Sequence, residues 1–295
     1  MTQLTSPMPP PWLIYPHISR FSIGWRMGYG EDYIDEFRQW FADLQESEQI
    51  LYAEMFPPPK IWHGYYEKGY KPFESGELYY LGVAFWNVKG AYQYSREKLI
   101  AELTKSDKSL TRDNFVFFWK PQENAVNASC LGQWQQSKFA ADHYHFSCAE
   151  QYMMAEKACL FEDEEIKEQI LQATDPQTMK RLGKKVRNFD ESVWNKAKYS
   201  IVLNGNYYKF SQNAAMREFL LSTENKILVE ASPFDKIWGI GLAEMDKNAV
   251  NPLLWRGQNL LGFALMEVRD DLRKIFRNYE KIDWGKISEK FEVFP

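Results

Sequence analysis

With 295 residues the chain is long enough for two domains, and its 45% apolar and 26% charged residues are the balance of a globular protein. A formal net charge of −4 excludes a general electrostatic pull toward nucleic acid or an anionic membrane. Aromatic content is high at 16%, which supplies rings for packing or for stacking on a planar ligand.

Residues 1–11 carry Pro7, Pro9, Pro10 and Pro11 and read as a loosely docked or disordered arm. The mixed apolar stretch Trp12 to Ile23 predicts a short strand. Gly24, Gly28 and Gly30 follow, just before a helix. A glycine loop there can hold an anion on backbone amides. Glu31 and Asp32 in the first turn would repel one and already suit the helix dipole. The helix carries Tyr33, Phe37, Trp40, Phe41 and Leu44 at three- and four-residue spacing, a core-facing stripe. A second helix over Ser47 to Met55 stops before Pro57, Pro58 and Pro59. Leu78 to Trp86 reads as one buried strand and Ser95 to Leu103 as a short helix. The polar stretch Lys105 to Arg112 marks a domain boundary, dividing the chain into residues 1–108 and 109–295. The first part is an aromatic-rich module of the binding or specificity kind, with no chemistry or protein partner assigned by its residues.

The second part opens on a strand, Asn114 to Trp119, followed by a loop that carries Trp134. Ser147 to Phe161 is a helix, apolar almost all round and so deeply buried. Ser147 and Glu150 have the spacing of a capping box. Glu150 and Lys157 lie seven residues apart, two turns along one face. Asp163 to Leu171 is amphipathic. Asp175 with Pro176 starts the next helix, which runs through Leu182 to Val186 with a basic run from Lys180 to Arg187. Asp190 caps a helix with Trp194, Ala197, Ile201 and Val202 on one face. A helix starting at Ser211, a strand over Lys226 to Ala231, a loop from Pro233 to Gly241 and a helix from Asn259 to Phe276 complete the chain. Helices dominate, so the fold class is α+β, mainly helical.

Cys130, Cys148 and Cys159 form no metal-binding spacing and cannot all pair, which suits a reducing compartment. No apolar run nears the ~18 residues of a membrane span. The N-terminus lacks the basic start and apolar core of a signal peptide. Together these predict a cytoplasmic protein, with no membrane partner. His143 and His145 flank Tyr144 on an extended segment, and a lone histidine is usually packed or hydrogen-bonded, so no metal site is expected there.

The carboxylates carry the best chemistry. A buried carboxylate can stabilise positive charge that develops on a substrate or activate a water molecule. Glu150 sits in the buried setting that tunes such a group, or it merely caps its helix. Glu230 ends a strand. Asp235 is either a loop carboxylate of the site or a turn former after Pro233. Gly239 and Gly241 allow close backbone approach to a ligand. Trp134, Trp194 and Trp238 can stack on a base, though Trp194 equally fits a core stripe. Lys184 and Arg187 belong to a run that is either a solvated face or a phosphate contact. Gly183 weakens its helix by about 1 kcal/mol relative to Ala, which implies a close neighbour.

Several stretches in order also resemble one family. They are LGQW (131–134), AEQYMMAEKACLF (149–161), LGKKVRNFD (182–190), NYYKFSQN (206–213), LVEASPFDKIWGIG (228–241) and WRGQNLLGFALMEVR (255–269). Together they are similar to the NADAR, or YbiA-like, family over residues 114–273. The resemblance implies a compact helical N-glycosidase of the cytoplasm with no cofactor. Its substrate would be a phosphorylated riboside of early riboflavin synthesis or an ADP-ribosyl adduct, including ADP-ribosylated guanine in nucleic acid. It places Glu150 as the catalytic glutamate, Asp235 and Trp238 in a pocket loop, Trp134 in a second loop, and Lys157 as a central-helix lysine able to form a Schiff base. Gly132 and Lys184 depart from the family pattern, which bears on phosphate contacts. Two alternatives stand beside hydrolysis: an ADP-ribose or nucleotide-binding module without turnover, and a part of an antiphage or toxin-counteracting system.

Overall fold

The computed structural model describes residues 4, 6–68, 78–80, 83–85, 93–106, 110–122 and 126–293. The strand predicted over Trp12–Ile23 is instead a short helix, α1 (Pro11–Ile14), with proline at its first position. Proline's fixed φ is already helical and its missing N–H is not needed there. The prolines before it are no loose arm. Residues 7–10 are buried, and the Tyr52 hydroxyl donates to Met8 O at 2.7 Å while Tyr33 donates to Pro9 O. Buried tyrosines need acceptors, and these carbonyls supply them.

Helix α2 (Tyr29–Asp43) buries Tyr33, Ile34 and Phe37; of the stripe its spacing predicts, Trp40 and Phe41 are half-buried and Leu44 lies past the helix end as its C-cap. Helix α3 (Glu46–Met55) starts at a capping box between Gln45 and Glu48. The continuous strand predicted at 78–86 is two paired strands, β1 (Leu78–Tyr80) and β2 (Val83–Phe85). Helix α4 (Arg96–Ser106) follows.

Strand β3 (Phe115–Phe118) runs parallel to a strand more than a hundred residues later, with Phe115 opposite Ile227 and Phe118 opposite Glu230. A hairpin, β4 (Phe139–Ala141) and β5 (Tyr144–Phe146), leads into α5 (Ala149–Leu160). Then come α6 (Glu164–Gln172), α7 (Pro176–Gly183), α8 (Glu191–Gln212) and α9 (Ala214–Ser222). Strand β6 (Ile227–Glu230) precedes α10 (Leu260–Ile275) and a short α11 (Trp284–Ser288) that the sequence pattern did not announce. Ser211 does not start a helix, because α8 runs on to Gln212. Asn213 makes the break, its side chain donating to Lys209 O at 2.7 Å.

The contacts divide the chain into two units. One comprises Met1–Ala84, Ala140–Tyr144 and Asp270–Pro295, the other Phe85–Phe139 and His145–Arg269. The polar stretch Lys105–Arg112 therefore falls inside the second unit. Arg96 is the reason: its guanidinium donates to Pro252 O at 2.9 Å and to Leu253 O at 3.1 Å, tying α4 to that unit.

Helix α5 packs against α6, α7 and α8 and is buried along most of its length. A Cβ on Gly183, at the end of α7, would lie 2.1 Å from Met154 Sδ of α5. That is the close neighbour its helix cost implies. The turn between α5 and α6 is held by Asp163, which caps α6 and accepts three bonds from Arg187, the Nε contact at 3.1 Å. Arg187 holds the Asp163 carboxyl well below its ordinary range, at about 2. A depressed carboxyl adds stability above its unfolded pKa and loses it as pH falls through the folded value. Asp163→Asn is therefore expected to lower stability near neutral pH and to flatten the loss of stability between about pH 4 and pH 2. Denaturant unfolding across that range checks it; parallel curves for the two proteins would contradict the pairing.

Candidate active site

Glu150 enters α5 at its second position, and its N–H donates to Gln133 O at 3.0 Å. The capping box predicted from Ser147 and Glu150 does not form. Cys148 is the N-cap, and Ser147 donates through its N–H and Oγ to Gln151 Oε1, at 2.7 and 3.0 Å. Gln151 in turn donates to Ile170 O and Leu171 O. Glu150 is thereby released from capping. Its side chain is 5% exposed and accepts from the Trp134 indole, with Lys180 and Asp235 near enough to act on its charge.

Glu230 ends β6 and joins the same cluster. Asn259 fixes it there: Glu230 N–H donates to Asn259 Oδ1 at 3.0 Å, and Asn259 Nδ2 donates to Leu228 O at 2.9 Å. Burial pushes the Glu150 carboxyl up to about 7, with Asp235 adding to the rise and Lys180 and Trp134 opposing it. Burial likewise pushes Glu230 up to about 8; Asp235 and Glu150 add to it and Lys180 opposes. Glu230 Oε2 is buried and has no hydrogen-bond partner among the described residues. A buried oxygen without a partner costs about 1–3 kcal/mol, the kind of cost met at functional sites.

Asp235 fits both of its readings. Its Oδ1 accepts from Ile237 N at 2.9 Å and Trp238 N at 2.8 Å, a turn-forming pattern. Its charge also reaches Glu150 and Glu230. Trp238 is half-buried beside it. Gly239 serves the protein's own backbone: a Cβ there would lie 2.8 Å from Glu230 O, so glycine lets the loop close on the strand end.

The basic residues separate. Lys180, which the sequence reading left as one of a run, is the cation of the cluster and lies 5.8 Å from the Trp134 ring centre. Lys184, one turn on, is exposed at the end of α7. Arg187 is occupied by Asp163 and by Glu165 at 3.2 Å, so it is a clamp of the fold. Lys157 donates to Gly183 O at 2.7 Å and lies 4.2 Å from the Phe189 ring and 5.5 Å from Trp194. Seven residues at 1.5 Å rise put it ~10 Å along the helix from Glu150. Lys157 and Trp194 thus share an aromatic nest apart from the carboxylates, and burial lowers the Lys157 pKa.

Two residues of α8 escaped the sequence reading. Lys209 Nζ, fully buried, donates to Gly132 O at 2.9 Å, and Asn206 Nδ2 donates to Gln133 Oε1 at 2.9 Å. Both hold the loop that presents Trp134. Their signal was polarity inside the buried run NYYKFSQN. No helix among the described residues is long and apolar enough to cross a membrane.

A helical α+β unit with buried carboxyls at one helix start and one strand end is the class of protein defined here. The NADAR domain family model matches residues 117–273. The chain belongs to that family. It is 41% identical over 164 residues to N-glycosidase R617 of Acanthamoeba polyphaga mimivirus, covering 54% of this chain and 96% of that one. It is 44% identical over 129 residues to Protein irg-1 of Caenorhabditis elegans, covering 43% and 61%. N-glycosidase YbiA of Escherichia coli K12 is 27% identical over 161 residues, covering 55% and 90%. An NMR structure of the E. coli protein YbiA superposes with a TM-score of 0.44 at 24% identity, over 55% of this chain and 87% of that one.

The raised Glu230 carboxyl has a stability signature. A raised carboxyl contributes stability below its unfolded pKa and loses it as pH rises through the folded value. Glu230→Gln is expected to raise the thermal midpoint at pH 9 by at least ~2 °C, while the difference vanishes near pH 4. Equal midpoints at both pH values would show that Glu230 is not held protonated.

Proposed function

We propose that this chain is an N-glycosidase that cleaves the N-ribosyl bond of a phosphorylated riboside or of an ADP-ribosyl group attached to a base. The observation that carries this reading is the pair of buried carboxyls whose environments hold them at about 7 and about 8. Two carboxyls with separated pKa values are what acid and base roles at one bond require. Glu230, the more strongly protonated, gives its proton to the base nitrogen as the C1–N bond breaks and its electron pair leaves with the base. Glu150, steadied by Trp134 and Lys180, faces the resulting oxocarbenium ion and takes a proton from the water that adds to C1. Burial raises both carboxyls, and Asp235 adds to the rise by its charge and shapes the loop beneath Trp238. A pure binding pocket would have no use for an unpartnered buried carboxyl oxygen.

The substrate's phosphate belongs with Lys180, the cation that acts on both buried carboxyls, and with Lys198, which feels the charge of Asp235. A riboflavin-pathway riboside and ADP-ribosylated guanine both present a ribose with phosphate on its 5′ side. Mass spectrometry of the products separates them: ribose phosphate from the first, ADP-ribose from the second. Release of neither, from either substrate, would refute hydrolysis of this bond class.

Two outcomes are expected from kinetics. Glu150→Gln keeps the fold and substrate binding and lowers turnover by about two to four powers of ten. Near-full turnover in that variant would remove Glu150 from the chemistry. In the parent enzyme kcat/KM is bell-shaped, rising as Glu150 ionises near 7 and falling as Glu230 ionises near 8. A profile flat from pH 5 to 9 would contradict the acid and base assignment.

A further inference from the structure

The first unit contains a cavity of about 870 Å3. Small-molecule sites occupy ~300–1,000 Å3, so its size is that of a ligand site. Its wall is aromatic, built from Trp25, Phe37, Phe41, Trp62, Tyr65 and Tyr66. These rings brace one another. Trp62 meets Trp25 at 5.5 Å and Tyr65 at 5.3 Å, both edge-on, and Tyr66 stacks on Phe41 at 5.5 Å. Their polar ends are tied as well: the Trp25 indole donates to Ser19 O at 2.8 Å and the Tyr66 hydroxyl to Phe56 O at 3.1 Å. The wall is therefore pre-organised: Trp25, Phe37 and Trp62 are buried behind it, and the half-buried Phe41, Tyr65 and Tyr66 border the cavity.

The rim carries the opposite sign to the chain as a whole. Arg20, Arg26, Arg38 and Lys68 line it against Glu46 and Glu67, in a protein of net charge −4. The Arg20 guanidinium lies 5.1 Å from the centre of the Phe21 ring, which is 41% exposed. Arg20 and Arg38 both line the cavity, and the charges of both reach the Tyr65 hydroxyl. An aromatic wall alone would accept any flat apolar body, and a cationic rim alone any anion. Together they select a planar ring that carries a phosphate, since rings stack on aromatic faces and guanidinium groups take phosphate oxygens in pairs.

We propose that this cavity is a binding site for a nucleoside phosphate, with its base against the aromatic wall and its phosphate at Arg20 and Arg38. The cavity shares no residue with the Glu150 and Glu230 cluster and contains no pair of buried carboxyls, so it binds without cleaving. It gives the aromatic-rich module a role as a nucleotide-binding element.

The test uses the full chain and calorimetric titration with AMP, adenosine and inorganic phosphate. AMP is expected to bind at least about tenfold more tightly than adenosine or phosphate alone, ~1.4 kcal/mol. Arg38→Ala is expected to weaken AMP binding about tenfold or more and to leave N-glycosidase turnover unchanged. Arg38 is exposed on α2 and, among the described residues, pairs across one turn with Asp35 at 3.3 Å, so the variant keeps its fold. Phe21→Ala, at an exposed ring, weakens AMP and leaves phosphate binding as it is. AMP binding no tighter than that of adenosine, or undiminished in Arg38→Ala, would overturn the proposal.

Discussion

The burial of Glu150 and Glu230 is the constraint on which the second unit depends. A carboxylate removed from water is destabilised unless it gains partners or a proton. Among the described residues the partners are few: one indole N–H and one ammonium for Glu150, and an oxygen with no hydrogen bond for Glu230. The fold sustains this through a backbone that leaves neither residue free to move away. Gln133 O receives the Glu150 N–H, Asn259 brackets the end of β6, and Gly239 closes the loop over the Glu230 carbonyl.

The supporting shell reaches far along the chain. The loop that presents Trp134 is held from α8 by Lys209 and Asn206, and burying an ammonium for one carbonyl is costly enough to drop the Lys209 pKa to about 8. Helix α7 brings Lys180 to the cluster because Gly183 lets it lie against Met154 of α5. Arg187, one turn beyond, spends its charge on Asp163 and keeps the α5–α6 turn in place. Lys180 and Arg187 of the basic run thus have different duties, set by the places they occupy on α7 and beyond its exit.

The sequence disclosed the helices with a clear apolar stripe or cap, such as α2, α7 and α8, because period and capping act locally. It disclosed Glu150 as a carboxyl in an apolar helix, and the order of motifs disclosed the family. It misled where the deciding contact is distant. The predicted capping box does not form because Ser147 donates to Gln151 instead of meeting Glu150, and Gln151 is turned that way by carbonyls of α6. The prolines at 7–10 read as an arm because nothing nearby shows that Tyr33 and Tyr52 claim their carbonyls. Lys157 and Glu150 share a helix face by spacing, yet Phe189 and Trp194 draw the ammonium into a separate nest.

The central claim is that two buried glutamates in the resting protein hold their protons near neutral pH. Carboxyl carbon NMR of the protein labelled at glutamate measures this directly, with Glu150→Gln and Glu230→Gln identifying the two signals. Two carboxyls titrating between about pH 6.5 and 8.5, apart from the others near 4.3, is the result this account predicts. Titration of every glutamate below about pH 5.5 would contradict it.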